Sequence, residues 1–134
     1  MPQEASLWKL LKTNLPKEAH VQRIETGGTA RGVPDVNVCY AGKEVGIELK
    51  SIKGNKLTLT EFQIVWMHNR SISGGNCFIL VKKDKELRAF DISEYELEEF
   101  LEGKVNWNSD LHVSLSPPYE WETLFKFIFY CFTF

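Results

Sequence analysis

The chain has 134 residues, 43% of them hydrophobic and 25% charged, with 16 Lys and Arg against 18 Asp and Glu. That length builds one domain with a proper core, and a formal net charge of −2 weighs against a protein that coats nucleic acid by charge alone. The balance is uneven, however. Residues 1–88 carry 14 basic and 9 acidic side chains, and residues 89–134 carry 2 basic and 9 acidic. Such asymmetry points to two faces with different partners. Cys39, Cys77 and Cys131 are odd in number and lack CxxC spacing, which argues against a disulfide framework or a zinc site. A cytoplasmic setting is the expectation, with no signal peptide at Met1–Glu4 and no membrane span. The one strongly apolar stretch, Trp121–Phe134, is too short to cross a bilayer.

Leu7, Trp8, Leu11 and Leu15 share one stripe of a helix over residues 3–15 that Pro16 stops. His20–Thr26 reads as extended and enters the Gly-rich segment Gly27–Gly32. That segment lacks the Gly-Lys-Ser/Thr ending of a phosphate-binding loop, so no nucleotide cofactor is expected. Two strands follow, Asp35–Tyr40 and Val45–Lys50, then a basic loop over Ser51–Lys56. Thr60-Glu61-Phe62-Gln63 has the form of a capping box that opens a helix to about Ser71, closed by Gly74-Gly75. Cys77–Val81 and Leu87–Phe90 read as strands joined by a turn at Asp84-Lys85-Glu86. A second capping-box pattern, Ser93-Glu94-Tyr95-Glu96, predicts an acidic helix ending at Gly103. A strand over Leu111–Leu115, a Pro117-Pro118 break and the aromatic tail complete the chain. This order predicts a single α/β domain, a mixed sheet flanked by helices. Its core spans about residues 3–90, followed by an acidic helix and an aromatic extension over 91–134. Within that tail Phe125–Phe134 is a candidate dimer contact as well as candidate core.

The two central strands carry the chemistry. If they close through a turn at Gly42-Lys43, Asp35 pairs with Lys50 and Asn37 with Glu48. One face then holds Asp35, Asn37, Glu48 and Lys50. The other holds Val36, Val38, Tyr40, Val45, Ile47 and Leu49. Two carboxylates on a diagonal, with Cα atoms roughly 7–8 Å apart, can converge on one hard cation. All-oxygen ligands suit Mg²⁺ or Mn²⁺ rather than zinc. A solvated sheet face with outward Asp and Glu fits the same alternation.

Pro34-Asp35, a short hairpin and Glu48-Leu49-Lys50 together resemble the signature of the PD-(D/E)XK nuclease superfamily. The segments Gly32-Val33-Pro34-Asp35-Val36, Ile47–Ser51 and Leu59–Gln63 are similar to stand-alone virus-type replication-repair (VRR-NUC) nucleases and to Holliday-junction resolvases. The likeness covers about residues 4–83. It implies a restriction-endonuclease-like core in which Asp35, Glu48 and the Leu49 backbone carbonyl bind the metal. Lys50 then orients the attacking water or offsets charge on the phosphate, Gln63 lies near the scissile phosphate, and Glu4 joins the metal shell. Stand-alone relatives of this kind also suggest a phage origin and hence the host cytoplasm.

Two of these residues have competing readings. Glu4 lies on the apolar stripe of the first helix, where a carboxylate needs a partner, but it can also simply complement the helix dipole. Gln63 also fits as the capping partner of Thr60, and the two roles are expected to exclude each other. Arg23, Arg31, Lys53 and Lys56 flank the site and as a group suit DNA phosphates, although each alone reads as a solvated charge. The expected function is a metal-dependent endonuclease selective for branched DNA, a Holliday-junction resolvase working as a homodimer. A monomeric flap, nick or duplex-end nuclease and a catalytically silent DNA-binding module are the alternatives.

Overall fold

A computed structural model describes residues 3–25 and 32–130, without the side chains of Gln3 and Glu4. Helix α1 (Gln3–Asn14) is followed by β1 (His20–Arg23), β2 (Val36–Tyr40), β3 (Lys43–Ile52), α2 (Glu61–Ile72) and β4 (Asn76–Lys83). Then come β5 (Glu86–Asp91), α3 (Leu97–Leu101), β6 (His112–Leu115) and α4 (Trp121–Phe129). The six strands lie in one sheet in chain order. Every neighbouring pair is antiparallel except β3 and β4. A parallel pair needs a crossover, and α2 supplies it.

Alternate residues of the central strands feed two cores, one on each face of the sheet. Val45, Ile47 and Leu49 of β3 pack with Leu7 and Leu11 of α1 and with α4. Ile79 and Val81 of β4 pack with Ile64 and Met67 of α2 and Phe100 of α3. At β3 the second face is where the polar residues fall: Gly46, Glu48 and Lys50 alternate with the buried aliphatics. No helix among the described residues is long and apolar enough to cross a membrane.

Three local expectations are corrected. The β2–β3 turn is Ala41-Gly42 rather than Gly42-Lys43, with φ of 54° and 78° at the two residues. Positive φ at both central positions gives the hairpin turn whose twist matches that of the strands, although it places a non-glycine residue in a left-handed conformation. Val36 therefore pairs with Ile47 and Val38 with Val45. The register has slipped by two residues, an even number, so every side chain keeps its face.

Ser93 does not open the acidic helix. Asp91 at the end of β5 accepts the Ser93 N–H at 2.9 Å and holds Ile92–Glu94 in a 3₁₀ turn. Helix α3 starts only at Leu97, with Glu96 and Glu99 forming its capping box.

The aromatic tail is core as far as it is described. Leu124, Ile128 and Phe129 are fully buried and Phe125 nearly so, which makes these four core, whereas Tyr130 is 41% exposed. Residues 131–134 lie outside the described part.

Gly32 sets the approach to the central hairpin. Its φ is +86°, and a Cβ there would sit 2.2 Å from the carbonyl oxygen of Phe62 in the first turn of α2. A side chain would thus be opposed both by the left-handed backbone and by a backbone atom that cannot move aside. Gly32→Ala is expected to cost about 2 kcal/mol or more of stability, measured by urea unfolding.

Candidate active site

The site grows out of the point where β2 has not yet begun and β3 already runs. Asp35 immediately precedes β2, behind the buried ring of Pro34. Extending the observed register by one step sets Asp35 opposite Glu48, so the two carboxylates face each other directly instead of diagonally. Asp35 is fixed from two sides. Its Oδ2 accepts the Leu49 N–H at 2.9 Å, and its Oδ1 lies 3.4 Å from Arg23 Nη1. The same Arg23 nitrogen donates to the Asp35 carbonyl at 3.2 Å, while the guanidinium rests over the Trp8 ring at 5.8 Å.

The backbone at Leu49 is also set up by sequence. One further step of the register places Pro34 opposite Leu49. A proline has no N–H, so the Leu49 carbonyl receives no ladder hydrogen bond from that residue. In an extended strand the N–H and carbonyl of one residue lie on the same edge, and the Leu49 N–H donates to Asp35.

Glu48 is the unusual residue. It is only 2% exposed, in a strand whose buried neighbours are Val45, Ile47 and Leu49. Its Oε2 accepts from Gln63 Nε2 at 2.9 Å and stands 3.8 Å from Lys50 Nζ. Its Oε1 is buried and has no hydrogen-bond partner among the described residues. Burial pushes the carboxyl up to about 8, the nearby Asp35 adds to this, and Lys50 opposes it.

Gln63 does both things that were expected to exclude each other. Its Oε1 accepts the Thr60 N–H at 2.8 Å and its own N–H donates to Thr60 Oγ1 at 3.1 Å, a complete capping box. The other end of the amide, Nε2, holds Glu48. An amide has an acceptor and donors on different atoms, so one side chain serves the helix and the site together.

Asp35, Glu48, Lys50 and Gln63 thus converge. Lys53 and Lys56 lie exposed on the loop that leaves β3. Arg31 and the side chain of Glu4 lie outside the described residues. Among the described residues no three His, Cys, Asp or Glu side chains cluster, so the two carboxylates stand as a pair. An orphaned, buried carboxylate oxygen, a second carboxylate opposite it and a carbonyl facing a proline form an all-oxygen donor set. Such a set fits a hard divalent cation.

A model of the archaeal Holliday junction resolvase (Hjc) family matches residues 9–116. The chain belongs to that family. It is a structure-selective junction endonuclease, and resolvases of this family use divalent metals. The resolvase family thereby extends past residue 83, where the sequence likeness had ended, through the strands that complete the sheet. The match starts after Glu4. A 1.6 Å structure of Hjc from Archaeoglobus fulgidus, a Holliday junction resolvase from an archaeal hyperthermophile, shares the fold with a TM-score of 0.53. It is 15% identical over 86% of either chain. The crystal structure of SSO0001 aligns at 17% identity over 67% of this chain and 48% of its own, with a TM-score of 0.41. Among curated proteins no match was found.

The sequence missed the continuation of this resolvase's basic face beyond Lys50. The parallel register sets Ile52 beside Lys83 of β4, whose ammonium donates to Asn55 at 2.7 Å and lies 5.6 Å from the Trp107 ring centroid. Lys83 is thirty-three positions from Lys50, and only the crossover brings them onto one surface.

Proposed function

We propose that this resolvase cuts two opposed strands of a four-way DNA junction, as a homodimer with one Mg²⁺- or Mn²⁺-dependent site per copy. The observation that carries the reading is the buried Glu48, opposite Asp35 and with one oxygen orphaned, since a carboxylate is kept there only for a partner it must bind.

Asp35, Glu48 and the Leu49 carbonyl would hold the ion, with Glu4 a further candidate. Such an ion supplies Lewis-acid polarisation of the phosphodiester and a bound water of lowered pKa. Lys50 faces the same space and offsets negative charge that develops on the phosphate. Gln63 fixes the Glu48 carboxylate through Oε2, so Oε1 would be left to serve the ion. Arg23 holds Asp35 and, with Lys53 and Lys56, draws the DNA backbone to the site.

Two symmetric cuts call for two sites related by a two-fold axis. With the tail buried, the outer face of α2 is a better contact for a second copy. Val65 and Ile72 are exposed there, the latter at 72%, and Phe62 lies on the same face. Glu61 in the first turn and Arg70 in the last suit an antiparallel crossing with the same helix of the partner.

A panel of end-labelled four-way junction, flap, nicked and linear DNA with Mg²⁺, Mn²⁺ or chelator tests the proposal. Paired symmetric nicks in the junction alone are expected, with none in chelator. Preferential cutting of flaps or duplex ends would instead favour a monomeric nuclease. Sedimentation of Ile72→Asp should show a monomer where the native chain sediments as a dimer.

A further inference from the structure

From Glu48 the active-site face of β3 runs in two directions. One leads to Lys50 and the basic loop. The other leads through Gly46 to a cavity of about 290 Å³ that the cutting chemistry does not use. Gln22 of β1, Asn37 of β2 and Asn76 of β4 contribute to its walls, and Trp66 and Arg70 of α2 close it from the opposite side. Gly46 lies in its floor and lets Pro34 approach closely: a Cβ there would come 3.0 Å from the Pro34 ring and 3.6 Å from Cys77 Sγ.

Asn37 and Gly46 pair with each other, and each lies two residues along its strand from Asp35 and Glu48 respectively. Two residues of strand span roughly 6.5–7 Å, so the cavity opens immediately beside the carboxylates.

Its chemistry selects the occupant. Gln22, Asn37 and Asn76 each present an amide that can both donate and accept, and none of the three has a side-chain hydrogen bond among the described residues. Trp66 presents an indole with the Arg70 guanidinium 4.6 Å over its ring. Amide edges and a flat π-surface are the groups that proteins use to hold an unstacked base. Glu44 stands at the same cavity and would repel a phosphate, whereas it can accept from a base amino group.

We propose that this cavity receives one unpaired nucleobase of the cleaved strand, from a nucleotide next to the scissile phosphate. The inference rests on the junction-cleavage reading and adds a base-holding subsite to it. Extruding a base is least costly where stacking is already interrupted, as at a branch point, so the cavity rewards junctions over continuous duplex. Amides that both donate and accept make the subsite tolerant of base identity.

The test is a scan of four-way junctions, each with one abasic nucleotide at successive positions around the cut. They are bound by the Asp35→Asn protein, which leaves them intact. One position is expected to lose ~10-fold in affinity relative to its neighbours, the scale of one lost base contact. Adding Asn37→Ala or the exposed Gln22→Ala should erase that contrast while leaving binding of the other junctions within about 3-fold, with folding checked by circular dichroism. If native protein cuts junctions but the scan is flat, or the contrast survives both substitutions, the subsite is wrong and the nuclease reading stands. If junctions are neither bound nor cut, both fall together.

Discussion

Replacing Asp35 by Asn is expected to abolish junction cleavage, with a loss of roughly 10²–10³-fold or more, while junction affinity stays within a few-fold of native. The asparagine keeps an oxygen for the Leu49 N–H, now 2.9 Å from Oδ2, so the start of the β2–β3 hairpin is retained. What goes is the charge opposite Glu48. Binding should survive because Arg23, Lys53 and Lys56, which we propose meet the phosphates, are all retained. Lys50→Ala should show the same separation, with cleavage lost and binding preserved. Single-turnover cleavage and gel-shift titration of both variants measure it, and undiminished cleavage in either would overturn the site assignment. Mg²⁺ should raise the melting temperature of native protein and leave that of Asp35→Asn unchanged.

Glu48→Gln is expected to inactivate the protein and at the same time to stabilise it in chelator, increasingly so as pH rises. Burial beside Asp35 lifts the Glu48 carboxyl from its ordinary 4.5 to about 8. A carboxyl whose folded value is raised gives the native state most stability while protonated, below about 4.5. That stability is lost as pH climbs towards 8, because the folded protein must then carry a buried charge. A glutamine carries none and can still accept from Gln63 Nε2. The two proteins should melt alike near pH 5 and differ by up to about 5 kcal/mol above pH 8, given 1.36 kcal/mol per pH unit of displacement. Thermal unfolding from pH 5 to 9 reads the effect, and a gap that does not change with pH would refute it. Millimolar Mg²⁺ should restore part of the native protein's stability and none of the variant's. Such a result would mark Glu48 as a position where function is kept at the expense of the fold.

The hairpin shows why some of this was legible from residues. Val36, Val38, Val45, Ile47 and Leu49 alternate with polar residues, and alternation assigns faces whatever the register. The expected turn was wrong by one position and the pairing by two residues, yet Asp35 and Glu48 stayed on one face. What changed was their separation, from diagonal to directly opposite, because a turn with two positive-φ residues fits the strand twist better. Gln63 was legible as a capping partner through the local Thr60–Gln63 pattern. Its second bond, to Glu48 fifteen residues earlier, was not, since no local rule states what passes beneath a helix.

The amino-acid sequence by itself determined the strands and their faces, the α2 cap, the stop of α1 at Pro16 and the gathering of Asp35, Glu48 and Lys50 on one face. Each of these follows from interactions between residues close along the chain, or from a period that needs no partner to be read. Only the tertiary structure decided how deeply Glu48 is buried, that α4 is core, that Lys83 shares a surface with Lys50, and that a cavity opens at Gly46. Those depend on the parallel β3–β4 pairing and on which helix covers which face. Burial is a property of what surrounds a residue, and for Glu48 the surroundings come from β2, α2 and β4. The near-neutral net charge of the sequence is therefore a sum over unlike surfaces, one of which carries the buried carboxylate of Glu48.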